Sequence, residues 1–191
     1  MQAKTIPGTN ILYGNNEDAF SVLKPMIEIT GGFSLGQICR ITDLQTSTIQ
    51  NWVKRGYVPR PENKKYYERH LSRILLISAL RECMNIEDIG ELMRLINGDT
   101  DDESDDIISE MALYDDFCRA VKDLEELSLD EDRIDESIEK ILENEDTSVR
   151  DRLMKGLRVM VYAYISGICL KQIDLNLRRL RGEEDDEEKS E

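Results

Sequence analysis

A run of hydrogen-bonding and cationic side chains at 46–55 is the part of this sequence with the clearest chemistry. The segment reads TSTIQNWVKR, so hydroxyls, carboxamides and two cations surround the apolar residues Ile49, Trp52 and Val53. Ser, Thr, Gln, Asn and Lys side chains hydrogen-bond base edges and phosphates in the major groove of DNA. Because Ile49 and Val53 are spaced i and i+4, both can face inward on a helix. The pattern predicts a short helix whose outer face binds nucleic acid.

A second cluster of cations follows in the segment 60–69, RPENKKYYER. Pro59 and Pro61 exclude a helix here and favour a small hairpin or wing. Its cations and tyrosine hydroxyls suit contacts with neighbouring phosphates. The DNA-binding residues predicted from the two segments are Thr46, Ser47, Thr48, Gln50, Asn51, Lys54, Arg55, Arg60, Lys64, Lys65, Tyr66, Tyr67 and Arg69.

The net charge of the chain has the opposite sign to this region. The 191 residues hold 25 Lys and Arg against 40 Asp and Glu, a formal net charge of −15. Residues 45–73 hold seven cations and two carboxylates (+5), whereas residues 98–191 hold thirteen cations and thirty carboxylates (−17). Such an asymmetry predicts two parts that face different partners. The alternative is a solvated acidic surface with a chance basic loop, in which Trp52 is simply core.

Helix signals place both clusters in a mainly all-α protein. The stretch SLGQ at 34–37 has capping-box spacing and begins a short helix, TDLQT at 42–46 reads as a tight turn, and Gly56 ends the second helix. This order is that of a helix-turn-helix. The remaining predicted helices span 17–30, kinked or split by Pro25, then 70–83 with one apolar face, 85–96, 104–127, 129–144 and 149–181.

Changes of composition divide the chain into four predicted parts. An N-terminal arm and helix occupy 1–32, and a winged helix-turn-helix domain occupies 33–98. An acidic helical domain for dimerisation or regulation occupies 99–181, and a disordered acidic tail occupies 182–191. The acidic stretch at the third part's start lacks the spacing and central Gly of a calcium loop, so we interpret it as a linker.

The chain shows no arrangement of residues that catalysis or a cofactor would require. It has no Gly-rich phosphate loop, nucleophile elbow or HExxH motif, and its single His, His70, lies beside the basic segment, where a phosphate contact or exposure is expected. The four cysteines are far apart and form no CxxC pair, which is typical of reduced thiols in a cytoplasmic protein. The longest apolar run, from Val159, is 12 residues and too short to cross a bilayer. We therefore expect a cytoplasmic protein that is not an enzyme and has no metal, cofactor or membrane partner.

The predicted helix 149–181 has apolar residues that nearly encircle it around the run from Val159 to Leu170. Such a pattern indicates burial on more than one side. A second copy of the chain is one cover, which predicts a homodimer; the alternative is a self-contained bundle of the last three helices. An unknown effector or a protein partner also remains open. The predicted dimerisation residues are Leu157, Val161, Tyr164, Ile165 and Ile168.

The stretch 33–97 resembles the MerR-type winged helix-turn-helix. The similarity rests on "TI" followed by Trp52, on "RGYVPRP", on a basic wing that ends in Tyr, and on "LSRI" and "MNIEDIGELM" after the wing. The whole chain also resembles the bacterial family catalogued as domain of unknown function 1836. The MerR-type resemblance implies double-stranded DNA as partner and pairing through a long C-terminal helix. The chain departs from the usual MerR-type residues at Gln50 and Val53, so the base sequence that it reads is not implied.

Two functions from different classes follow from these observations. The first is a sequence-specific DNA-binding transcriptional regulator with a recognition helix at about 46–55 and a basic wing at about 59–67. The alternative is an adaptor or antirepressor that keeps the helix-turn-helix fold and acts through protein contacts without binding DNA. The wing cations discriminate between them, because an adaptor has no need of a phosphate-binding surface.

Overall fold

The computed structural model describes residues 5–12, 19–100, 104, 106–122 and 131–181. Over these residues the protein is mainly helical, which confirms the predicted class. The eight helices found there are α1, Ala19–Thr30; α2, Leu35–Thr42; α3, Thr46–Lys54; α4, Glu68–Leu80; α5, Ile86–Asn97; α6, Glu110–Lys122; α7, Glu131–Ile141; and α8, Thr147–Arg181.

Local capping signals set the beginnings of α2 and α5. The Ser34 hydroxyl accepts a hydrogen bond from the backbone N–H of Gln37, and the Gln37 side chain accepts one from the Ser34 N–H at 2.8 Å. This is the predicted capping box. Asn85 begins α5 in a similar way, because its side chain accepts from the Asp88 N–H at 2.9 Å.

The central helix α4 is buried on nearly all of its faces, and the predicted single apolar face was wrong. It packs against α2, α5, α6 and α8. Even its polar residues Ser72 and Arg73 are buried. The Ser72 hydroxyl donates to the Glu68 carbonyl at 2.8 Å, and Arg73 Nη2 lies 3.1 Å from Oε1 of Glu110 on α6. Both polar groups therefore have partners inside the protein, as buried polar groups require.

One hydrophobic core runs through both halves of the chain. The buried side chains from α1 to α8 form a single cluster. The helices α5 and α8 approach each other closely at Gly156, where a Cβ atom would lie only 2.4 Å from Cδ1 of Ile96. Residues from both sides of the predicted boundary at 98 and 99 therefore belong to this one cluster.

Two helices differ from their predicted form. The helix α1 continues through Pro25 and is not split there. The helix α6 begins at Glu110 and not at 104, and the Ser109 hydroxyl accepts from the Ala112 N–H at 3.2 Å and so caps the helix. The Asn97 side chain binds the backbone of Ile108 just before it. Asn97 Nδ2 donates to the Ile108 carbonyl at 2.7 Å, and Oδ1 accepts from the Ile108 N–H at 3.4 Å.

Several predicted features lie outside the described residues. They are residues 1–4 and 13–16 of the N-terminal arm, the beginning of the helix predicted at 17–30, residues 101–103 and 105 of the acidic stretch, the end of the helix predicted at 104–127, the beginning of the one predicted at 129–144, and the tail 182–191.

The helix α8 is 35 residues long and passes from the core into solvent. Its stretch Thr147–Arg179 is also long and apolar enough to cross a membrane, with a mean hydropathy of 1.4 in an 18-residue window of which 44% is buried inside the protein. Core helices of soluble proteins can reach the same length and hydropathy, so these two properties alone do not distinguish the two kinds of helix. The 12-residue run on which the sequence expectation was based thus understates the apolar length of this helix.

Asp116 is a buried carboxylate on the inner face of α6. Its residue surface is 4% exposed, and it forms an ion pair with Arg119 one turn later. Burial raises the pKa of Asp116 to about 6, while the Arg119 guanidinium opposes this rise. The folded protein therefore binds a proton at Asp116 more tightly than the unfolded chain does.

Candidate nucleic-acid interface

The helices α2 and α3 are joined by a three-residue connection, 43–45. Asp43 ends α2 in the left-handed conformation with φ of 55°, and the Thr42 hydroxyl accepts from the Leu44 N–H at 3.3 Å. Ile49 and Trp52 then bury the inner face of α3. The sequence predicted the inward position of Ile49, with Val53 rather than Trp52 as its partner, and this orientation directs the other side of α3 outward.

The outer face of α3 carries most of the polar side chains that the sequence singled out. The half-buried residue among them is Thr48. Val53, which was expected to face inward, is also half-buried and packs against the core. The exposed members are Thr46, Ser47, Gln50, Asn51, Lys54 and Arg55.

Arg55 is exposed but already has partners within the chain. Its Nη2 lies 2.6 Å from Oε1 of Glu87 on α5 and donates to the Tyr57 hydroxyl at 3.1 Å. The hydrogen bond between the two side chains raises the pKa of Arg55 and lowers that of Glu87. The Tyr57 ring in turn lies against Gly90, where a Cβ atom would be 2.7 Å from it. Arg55 thus fastens the end of α3 to α5, and a phosphate would have to compete with Glu87.

The stretch 62–65 forms a tight hairpin turn. Glu62 and Lys65 exchange both backbone hydrogen bonds, at 3.0 and 2.8 Å. The two residues between them, Asn63 and Lys64, have φ of 49° and 64°. Positive φ at both central positions is typical of a type I′ turn, in which Gly usually takes the second position. Lys64 holds this position instead and is exposed at the tip.

Three of the predicted phosphate contacts are used inside the protein, which corrects the sequence expectation. Tyr66 is 4% exposed, so its ring belongs to the core. Lys65 Nζ donates to the Gly32 carbonyl at 3.0 Å, close to the carboxyl end of α1. Arg69 Nη2 donates to the Thr100 carbonyl at 2.7 Å. Of the other residues predicted in this segment, Arg60 and Lys64 are exposed and Tyr67 is half-buried.

His70 holds the base of the hairpin segment and is buried, whereas the sequence suggested exposure or a phosphate contact. Its Nδ1 accepts from the Tyr67 N–H at 3.2 Å, and its Nε2 lies 2.9 Å from the Arg60 carbonyl. A backbone N–H can only donate, so Nδ1 carries no proton and Nε2 donates to Arg60. The ring therefore connects the two ends of the segment 60–67.

The residues predicted for dimerisation are largely covered by the chain's own helices, which corrects that assignment. Leu157, Val161 and Ile165 are buried. Tyr164 is half-buried, with its ring packed edge-on against an aromatic ring of α6 at 5.7 Å between centroids, and Ile168 is also half-buried. In this part of α8 the apolar residues pack within the chain, as expected for the alternative of a self-contained bundle.

Apolar side chains are exposed further along α8. Leu170, Ile173 and Leu177 are 49%, 55% and 43% exposed, and they follow one another at intervals of three and four residues. We call these three residues the C-terminal stripe. The interval is that of the a and d positions of a coiled coil.

The described residues contain no group of three or more His, Cys, Asp or Glu that could hold a metal ion. The four cysteines are free thiols.

Comparison with known proteins gives a partial match. The uncharacterized protein YkrK of Bacillus subtilis (strain 168) is 34% identical over 93 residues, which is 47% of this chain and 40% of YkrK. The chain thus aligns with less than half the length of this relative. No solved structure matches the chain. Residues 33–117, from just before α2 into α6, match the family described as Domain of unknown function (DUF1836).

Proposed function

We propose that the protein is a cytoplasmic, sequence-specific DNA-binding transcriptional regulator, in which α2 and α3 act as a winged helix-turn-helix of the MerR type. The observation that carries this proposal is the outer face of α3. Ile49 and Trp52 are buried on the inner face, and Gln50, Asn51 and Lys54 are exposed on the opposite side. Carboxamides in such positions can form bidentate hydrogen bonds with adenine in the major groove, and Lys54 can reach guanine or a phosphate.

The hairpin supports the same function as a wing. A non-glycine residue in the left-handed conformation carries a conformational cost, and such costs are often associated with functional sites. At the hairpin tip, Lys64 has this conformation, and its cationic side chain is exposed to solvent. A phosphate of the DNA backbone is a suitable partner for a cation presented in this way.

We further propose that the regulator is a homodimer that pairs through the C-terminal stripe. Two copies of α8 that meet along Leu170, Ile173 and Leu177 would bury apolar side chains that a single chain leaves exposed. The flanking ion pair between Asp174 and Arg178, at 2.8 Å, keeps the adjoining face polar and so limits the apolar contact to the stripe. A two-fold dimer would read two half-sites of a palindrome, which raises both affinity and specificity.

The decisive experiment is selection of duplexes from random DNA by the purified full chain, followed by sequencing. A regulator should enrich one sequence, with two half-sites if it is a dimer. Gln50→Ala should change the enriched sequence, whereas Gln172→Ala, an exposed Gln on α8, should not. No enrichment by the wild-type chain would reject the proposal.

One observation favours the second candidate, an adaptor or antirepressor that acts through protein contacts. Three of the expected cations, Arg55, Lys65 and Arg69, bind groups within the chain, which reduces the charge available for phosphates. This candidate predicts that the protein binds DNA no more tightly than an acidic protein of equal charge does, and that a protein partner contacts α3.

A further inference from the structure

The stretch 5–12 of the N-terminal arm folds back on itself and packs against the core, and we call it the arm loop. The Ile6 N–H donates to the Ile11 carbonyl at 2.8 Å, and Ile6 is completely buried. Gly8 has φ of 77° and lies so close to α4 that a Cβ atom there would be 2.4 Å from the Leu75 carbonyl oxygen. The core therefore sets the position of the arm loop, which lies outside the residues that match the family.

A hydrogen bond also joins the arm loop to α6. The Tyr114 hydroxyl donates to the Pro7 carbonyl at 2.7 Å, and Tyr114 is completely buried. Buried hydroxyls generally have such a partner. The arm loop is thus held by two of the helices that form the core, α4 and α6.

Asn10, in the arm loop, binds the carboxyl end of α2. Its backbone N–H donates to the Ile41 carbonyl at 2.8 Å, and its Nδ2 donates to the Arg40 carbonyl at 2.7 Å. The last four carbonyls of a helix have no partner within that helix, so donors from elsewhere in the chain satisfy them. Nδ2 also lies 3.3 Å from Oδ1 of Asp43, the residue that ends α2. One side chain thus contacts both the last turn of α2 and the first residue of the connection to α3.

The geometry of this connection gives Asn10 influence over α3. Only the residues 43–45 separate the two helices, so the direction in which α2 ends also affects where α3 begins. The helix α3 has nine residues, of which two are buried, and a helix this short depends on tertiary contacts for its stability. We propose that Asn10 is a positioning residue for α3, whose hydrogen bonds hold the connection in one position relative to the core.

This role has a consequence for DNA binding, which rests on the proposed function. A protein whose binding-competent form is only partly populated binds with an affinity reduced by the populated fraction. Removal of the Asn10 side chain should weaken binding of a selected duplex about threefold to tenfold, since one ordinary hydrogen bond shifts an equilibrium by a factor of this order.

Hydrogen–deuterium exchange of the full chain tests the positioning role without DNA. The variant Asn10→Ala keeps the backbone N–H and removes only the side-chain donors, and it should fold because Asn10 is exposed. We expect the amides of 42–49 to exchange at least about threefold faster than in the wild type, because the connection opens more often. This range includes the hydrogen-bonded N–H groups of Leu44, Thr48 and Ile49. The amides of α4 should keep their wild-type exchange.

The matched control is Asn97→Ala. Asn97 also binds the backbone of another segment through its side chain, at Ile108, but it lies at the other end of the described core helices, between α5 and α6. Its replacement should speed exchange around Ile108 and leave both the amides of 42–49 and the affinity for the duplex unchanged.

The variant Gly8→Ala tests the same role and leaves Asn10 intact. The added Cβ would overlap the Leu75 carbonyl oxygen, and φ of 77° is unfavourable for Ala, so the arm loop must move away from α4. If the arm loop positions Asn10, exchange of 42–49 should increase in this variant as well.

Wild-type exchange of 42–49 in Asn10→Ala would overturn the assignment. Weaker binding of the duplex by Asn10→Ala with unchanged exchange would overturn it too, because Asn10 would then contact the DNA directly. Fluorescence anisotropy measures the duplex affinities. Failure of the wild type to bind any duplex rejects the proposed function, whereas the exchange experiment decides the positioning of α3 by itself.

Discussion

Replacing Lys64 by Gly should separate the stability of the hairpin from its proposed contact with DNA. Lys64 has φ of 64° at the second central position of the turn, a conformation that suits Gly better than Lys. The substitution therefore relaxes the backbone and removes an exposed cation at once. We expect the variant to be at least as stable as the wild type and to bind DNA more weakly.

Both magnitudes follow from the local geometry. The left-handed conformation costs an L residue roughly 1–2 kcal/mol, and Gly avoids this cost. Gly also loses more conformational entropy on folding, roughly 0.5–1 kcal/mol, so the net gain in unfolding free energy should be about 0–1.5 kcal/mol. Loss of one phosphate contact should reduce the slope of log K against log salt by about 0.9, which corresponds to roughly fivefold weaker binding at about 0.15 M salt.

Urea unfolding and fluorescence anisotropy with a selected duplex across a range of salt concentrations measure the two effects. The matched control is Asn63→Gly, which changes the neighbouring turn residue with φ of 49° but removes no charge. It should leave the salt slope unchanged. Two results would refute the reasoning: a clear loss of stability in Lys64→Gly, or wild-type affinity and salt slope in that variant.

Three further predictions concern other parts of the protein. Gln50→Ala and Asn51→Ala should each relax discrimination at one or two base pairs, at about 1–3 kcal/mol per lost bidentate contact, in competition with mismatched duplexes. Leu170→Glu with Ile173→Glu should reduce the mass in sedimentation equilibrium from twice 22.1 kDa to 22.1 kDa. As the pH rises from about 4 to 7, the free energy of unfolding of the wild type should fall by up to about 3 kcal/mol relative to that of Asp116→Asn. The wild type loses the Asp116 proton over this range, and the folded state binds that proton more tightly than the unfolded chain does. Urea unfolding at each pH measures this difference.

Each of these predictions has a result that would contradict it. Wild-type discrimination in both α3 variants would mean that α3 does not read the bases. A mass of 22.1 kDa for the wild type at all micromolar concentrations would exclude the dimer, and the control Ile29→Glu, at an 86% exposed apolar residue on α1, should not change the mass. For Asp116, whose pKa of about 6 lies above its ordinary value of 3.8, a stability difference that does not vary with pH would contradict the raised pKa.

Helix ends and turns could be predicted because their causes are local. Ser34 and Asn85 cap backbone groups three residues away, so the short patterns in which they occur contain both partners. The partners of the basic side chains could not be predicted in this way. Arg55, Lys65 and Arg69 resemble free surface cations in the sequence, but the groups that they bind lie 31–33 residues away.

The burial of polar residues is the second feature that could not be predicted from the sequence. Arg73 and Ser72 interrupt the apolar pattern of α4 and so indicate a solvent-facing side, yet α6 and the helices beside it cover that side. The segment that leads into α6 is likewise held by a distant residue, because Asn97 binds the backbone of Ile108. For α8 the sequence indicated burial on more than one side of the helix. It did not show which apolar residues pack against other helices of the same chain and which stay exposed.

The buried position of α4 has a consequence for how this protein can be divided. A fragment that ended near residue 98 would keep Arg73 and lose Glu110, and it would expose the side of α4 that α6 covers. An unpaired charge on a bare apolar surface opposes independent folding. The match to the DUF1836 family does not stop at that point either, since it extends to residue 117 and takes in the first turns of α6. A fragment that is expressed alone or moved into another protein should therefore include α6, the helix that lies across α4.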